Sequence, residues 1–152
     1  MIKQRFIILL IILTISLPAL LVAQQPVITA DEALELFNNG KYSEAKMAYQ
    51  QLLTRNNKHY AYNYYYGISL YHLKENNSEA IKRLKLAAIK PPSNDVYFYL
   101  GQLYQRAYEN QLAISQYEKF LKKTGSNDPR TEIAQRAIND CQTANTLINK
   151  HF

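Results

Sequence analysis

The chain has 152 residues, 47% of them hydrophobic and 20% charged, with 4 Gly and 5 Pro. That is material for one packed domain, and it excludes both a disordered chain and a Gly-rich filament. The formal charge is +6 at pH 7; one cysteine rules out an intramolecular disulfide, and three scattered histidines leave no Cys/His cluster for structural zinc.

At the amino terminus, Lys3 and Arg5 precede an apolar run from Phe6 to Leu13 that continues through Leu17 to Pro18 and Ala23. This order matches a secretory signal peptide over residues 1–23, with a mature chain, 24–152, beginning at Gln24. Leu21 is larger than the residue usually found before a cleavage site. The apolar stretch from Phe6 to Ala23 also reaches the short end of what spans a bilayer, so an uncleaved anchor is the alternative. Either way the remainder is expected to be exported, to the periplasm or to the outer membrane. Membrane contact is expected only through an uncleaved signal.

Losing Lys3 and Arg5 takes two from 18 basic residues against 12 acidic ones, which leaves ordinary basicity. No later helix combines a dense Lys/Arg face with stacking aromatics, so nucleic acid is not an expected partner. Lys82, Arg83, Lys85 and Lys90 form the one local concentration of charge. It reads as a solvated helix face, or as a patch attracted to an anionic polymer or lipid surface.

Apolar spacing then predicts helices over about 29–38, 42–54, 59–74, 78–90, 94–108, 110–123 and 128–149. Asp128 followed by Pro129 marks the start of the last, and Ser78 with Glu79 the start of the fourth. Gly67 and Gly101 lie one repeat length apart, each after a Tyr-rich stretch. Ala45, Ala80 and Ala113 each open a helical apolar stripe, and their spacings bracket that of the glycines. The extra residue of the middle copy belongs in the turn around Lys74 to Asn77, where insertion costs little.

These residues carry a resemblance to tetratricopeptide repeats. The third copy is the fullest match, with Tyr97, Leu100, Gly101 and Tyr104, then Ala113, Tyr117 and Phe120. The second shows Tyr66, Gly67 and Leu70, then Ala80, Leu84, Ala87 and Pro92, with Asn63 where the family has an aromatic. The first keeps Ala33, Leu36, Ala45, Tyr49 and Leu52, with Asn57 at the closing-proline position.

The resemblance implies an all-α, right-handed α-solenoid of three helical hairpins (about 26–58, 59–92 and 94–127) plus a C-terminal capping helix over 128–149. Each hairpin buries its stripe only against a neighbour. Cys141 falls on the apolar stripe of the last helix, as a small buried hydrophobe.

For chemistry the sequence offers little. It contains no phosphate loop, no paired-His motif and no G-x-S-x-G; His59, His72 and His151 lack ligand spacing; the acids are scattered. No enzyme activity, cofactor or metal is expected. All 13 tyrosines lie between Tyr42 and Tyr117. The resemblance places the first helix of each hairpin along a concave groove. Its groove positions are Leu34 and Phe37, then Tyr64, Ile68, Tyr71 and His72, then Asp95, Phe98, Gln102, Gln105 and Arg106.

An aromatic groove with few charges suits a peptide or protein segment. The family's cationic clamp for a terminal carboxylate is not matched, since those places hold Ala30, Leu34, Ile68, Asp95 and Tyr99. The expected role is a protein–protein interaction scaffold in a bacterial envelope, or alternatively a membrane-anchored structural subunit of an envelope or secretion complex.

Overall fold

The computed structural model describes residues 27–150; the expected signal segment and its cleavage site lie outside the described residues. Those described form helices α1 (Ala30–Asn38), α2 (Tyr42–Arg55), α3 (Tyr60–Leu73), α4 (Asn77–Ala87), α5 (Asp95–Arg106), α6 (Asn110–Lys123) and α7 (Arg130–Lys150), with no strand among them. None of these helices is long and apolar enough to cross a membrane.

Consecutive helices pair into hairpins α1–α2, α3–α4 and α5–α6, with α7 closing the array against α6. Each first arm also packs on the second arm of the hairpin before it. First arms touch one another along the array, α1 on α3, α3 on α5 and α5 on α7, while consecutive second arms make no comparable contact. The helical solenoid therefore curves toward its first-arm side.

The core is continuous through all three hairpins because every arm contributes a stripe to it. Tyr49, Leu84, Tyr117 and Phe120 from the second arms are almost fully buried, as are Ile68, Leu100 and Leu103 from the first. Burying each such side chain contributes roughly 1.5–3 kcal/mol before chain entropy is counted. Gly67 and Gly101 are the notches that admit Leu84 and Tyr117. Ala113, also fully buried, sits one turn away, so the partner of Gly101 is the Tyr117 ring and not Ala113.

The hairpin turns carry a second repeat. Their left-handed residues are Gly40 (φ 70°), Lys74 (φ 55°) and Tyr108 (φ 60°), evenly spaced along the chain. Between that residue and the next helix stands Lys41 in the first turn and Glu109 in the third, but Glu75 and Asn76 in the second. The extra residue of the middle copy is therefore in this turn, as its spacing predicts. It also moves the helix start. Asn76, left-handed at φ 36°, caps α4 by accepting from the Glu79 N–H, and Ser78 already lies within the helix. The backbone reversal places an amide side chain where Ser78 would otherwise have acted. Asp128 accepts from the Arg130 N–H at 2.9 Å and so caps α7 as expected.

Asn63, at a family aromatic position, is fully buried and fully used. Its Nδ2 donates to the carbonyls of Asn57 and His59, both at 2.9 Å, and its Oδ1 accepts from Arg83 at 3.2 Å. The side chain thereby holds closed the α2–α3 turn, whose proline position is taken by Asn57. A buried amide is tolerated when its donors and acceptor are all satisfied.

Candidate functional site: the first-arm face

The first arms are held together by polar rungs. Tyr64 donates to Asp95 at 2.6 Å and Tyr71 donates to Gln102, each linking α3 to α5. Both rungs fall one helical turn short of a full repeat, so neighbouring first arms are staggered. Asp95 also accepts from Arg130 at 3.1 Å, and Arg130 grips Asp128 at 2.7 Å. A relay of Tyr64, Asp95, Arg130 and Asp128 thus ties the second hairpin to the closing helix. The Arg130 guanidinium holds the Asp128 carboxyl down to about 2. Burial first, and the hydrogen bond to Asp95 next, push the Tyr64 phenol well above its usual range, so it stays a donor.

Aromatic rings extend these rungs across the face. Phe37 meets Tyr65 edge-on at 4.9 Å and Tyr42 at 5.5 Å. Tyr42 stacks on His72 at 4.1 Å with planes 7° apart. His72 then meets Tyr99 at 6.0 Å, Tyr99 meets Tyr71 at 4.8 Å, and the Arg106 guanidinium lies 4.3 Å over the Tyr71 ring. Such contacts fix ring orientation and contribute about 0.5–1.5 kcal/mol each. Loss of water where the ring stacks on Tyr42, and then the Arg106 charge, lower the His72 pKa, while the rest of the side chain stays exposed.

The sequence-derived groove residues divide into three groups. Leu34, Phe37, Tyr71 and Gln102 are half-buried, and His72 and Arg106 are exposed; Phe37, Tyr71, His72, Gln102 and Arg106 join one connected cluster. Ile68 is 1% exposed, Phe98 5% and Tyr64 6%, so these three build the floor and offer little surface to a ligand. Gln105 is half-buried and accepts from the Tyr117 hydroxyl at 3.0 Å, which commits its amide to its own hairpin.

Tyr42 and Tyr99 belong to the cluster and were not among the expected groove residues. Tyr42 begins a second arm, so a rule assigning the groove to first arms passes over it; its position just after the Gly40 turn was the available signal. No three His, Cys, Asp or Glu side chains converge as a metal would require among the described residues.

No family model and no curated protein matches the chain. Solved structures do resemble it. The MamA protein superimposes with a TM-score of 0.63 at 21% identity, covering 79% of this chain and 63% of MamA, so the chain spans less than two thirds of that protein. The Yersinia enterocolitica type III secretion translocator chaperone SycD gives 0.62 at 15% identity, over 78% of this chain and 89% of SycD. The first TPR of Spaghetti (RPAP3), bound to the HSP90 peptide SRMEEVD, gives 0.62 at 18%, over 80% of this chain and 99% of that one. Together with the notched hairpins and their even spacing, these likenesses establish that residues 27–150 adopt the tetratricopeptide-repeat fold, three hairpins closed by a seventh helix.

Proposed function

We propose that the protein is a non-catalytic interaction scaffold whose first-arm face takes up a peptide or an extended protein segment. The observation that carries this reading is the connected, partly exposed cluster of Tyr42, Tyr71, His72, Tyr99 and Arg106, held in place by the Tyr71–Gln102 rung. Rings fixed before binding lose little entropy when a ligand arrives. A neighbour of the same fold, the RPAP3 repeat, is bound to a peptide. The ligand here differs in kind from one recognised by its terminal carboxylate. Asp95 stands at one of the clamp positions, and its carboxylate is already engaged by Tyr64 and Arg130.

The test is selection of peptides from a displayed library on the wild-type protein, followed by titration against Tyr71→Ala/His72→Ala/Arg106→Ala. Affinity for the selected peptides should fall at least about tenfold, with circular dichroism unchanged. Equal affinity for both proteins removes the reading. Export is part of the proposal, supported by the charged and then apolar order of residues 1–23. Mass spectrometry of the native amino terminus checks it. A start at Gln24 supports a released scaffold, and an intact Met1 an anchored subunit.

A further inference from the structure

The side of the array away from the first-arm face carries a different surface. Because second arms pack on one another less than first arms do, each consecutive pair leaves a groove floored by the first arm between them. The two grooves are not alike. Between α2 and α4 the cavity is about 330 Å³ and is plugged from within. Arg83 lies over the Tyr66 ring at 5.3 Å, bonded to Glu79 at 2.5 Å and to Asn63. Its cation is spent on the protein's own acid and ring.

One repeat further, between α4 and α6, the plug is gone. The positions of Glu79 and Arg83 are held by Leu112 and Gln116, and on the facing wall Ala88 replaces Leu53. The cavity widens to about 650 Å³ over a floor of Tyr97, Leu100 and Tyr104. Its rim carries Lys85 from α4 and Lys119, Lys122 and Lys123 from α6, and no acidic residue lines it. None of these four lysines is in an ion pair among the described residues; Lys123 only approaches the Tyr97 ring, at 5.7 Å.

We propose that this wider groove docks an acidic amphipathic polypeptide segment. An apolar side chain would seat against Tyr104, Ala88 and Ile89, above the nearly buried Tyr97 and Leu100, and carboxylates would meet lysines on both walls. The recessed floor favours a polypeptide over a membrane, because a flat bilayer reaches the rim lysines but not the rings beneath them. Unpaired lysines beside a low-dielectric floor attract anions more strongly than scattered surface charge does.

The probe is a fluorescein-labelled amphipathic peptide of Glu, Leu and Phe, titrated with the purified protein and followed by anisotropy. Compared with it are a Gln-for-Glu version of the peptide and phosphatidylglycerol vesicles. The rim variant is Lys85→Glu/Lys119→Glu/Lys122→Glu. The charge-matched control is Lys41→Glu/Lys58→Glu/Lys74→Glu, at exposed positions away from the groove. Wild type should bind the acidic peptide, the rim variant about tenfold more weakly or worse, and the control within about twofold of wild type. Binding should also weaken as salt is raised.

Ile89→Asp, at a wall position 67% exposed, should weaken binding without unfolding the protein. No binding of the acidic peptide, equal loss in rim and control variants, equal affinity for the Gln version, or capture of vesicles but not of peptide would each overturn the proposal.

Discussion

A Cβ atom placed on Gly101 would stand 2.7 Å from Cδ1 of Tyr117, so the ring occupies the space that a side chain on α5 would need. Gly101→Ala sets an overpacking cost of about 1–3 kcal/mol against a helix-propensity gain of at most about 1 kcal/mol. Urea unfolding should show net destabilisation. In a Tyr117→Ala background the same substitution should turn neutral or stabilising, because the obstructing ring is gone. Unchanged cost in that background would mean the notch serves something other than Tyr117.

Tyr108 holds a left-handed conformation while 90% of its surface is exposed, so its side chain returns little for the strain. Tyr108→Gly should stabilise the protein by about 1 kcal/mol. Gly40→Ala, at the matching place in the first turn, should destabilise it by a similar amount. Thermal melts of the two variants should therefore move in opposite directions. Movement in the same direction would contradict the conformations at these turns.

Asn63→Ala would take the side-chain partner from the Asn57 carbonyl, and one of two partners each from the His59 carbonyl and the Arg83 guanidinium. A loss of about 2–3 kcal/mol is expected, with amide exchange accelerating first at the start of α3. Asn63→Asp keeps the acceptor toward Arg83 but loses both donors, and should recover only part of the loss.

His72 has a pKa lowered first by burial and then by Arg106, so in the acid range the unfolded chain binds more protons than the folded one. Stability tied to this group is complete above the ordinary histidine value of 6.5. It is lost as pH falls through the lower folded value. Imidazole proton shifts should report a midpoint below that of an unfolded control. Arg106→Gln should raise the midpoint only partly, because burial is the larger cause. A midpoint at or above the control value would exclude the stacked placement of His72 on Tyr42.

The sequence carried the hairpins well, because an apolar stripe and a small notch recurring together leave one way to pack. The number and order of the helices, the longer middle turn and the burial of Cys141, 2% exposed, were readable from spacing, whereas the fourth helix ends at Ala87 and not at 90. The rotation of each first arm was harder to read. Ile68 is 1% exposed and Phe98 5%, although both stand at groove positions. Gln102, one repeat after Ile68, is half-buried, so burial at the same place differs from copy to copy with the side chains packed against it. Those contacts join residues far apart in sequence, and periodicity within one helix is blind to them. The Asn76 cap was missed for a related reason, since a left-handed asparagine competes with the nearer Ser78 only once the turn has formed.

The even spacing of Gly40, Lys74 and Tyr108 puts all three hairpin bends along a single edge of the molecule, bordering the aromatic face, since Tyr42, His72 and Arg106 each lie two residues from a bend. That edge is a natural place for engineering. A fluorophore at Tyr108 would project into solvent from a position already 90% exposed, close enough to Arg106 to report on whatever the aromatic face holds.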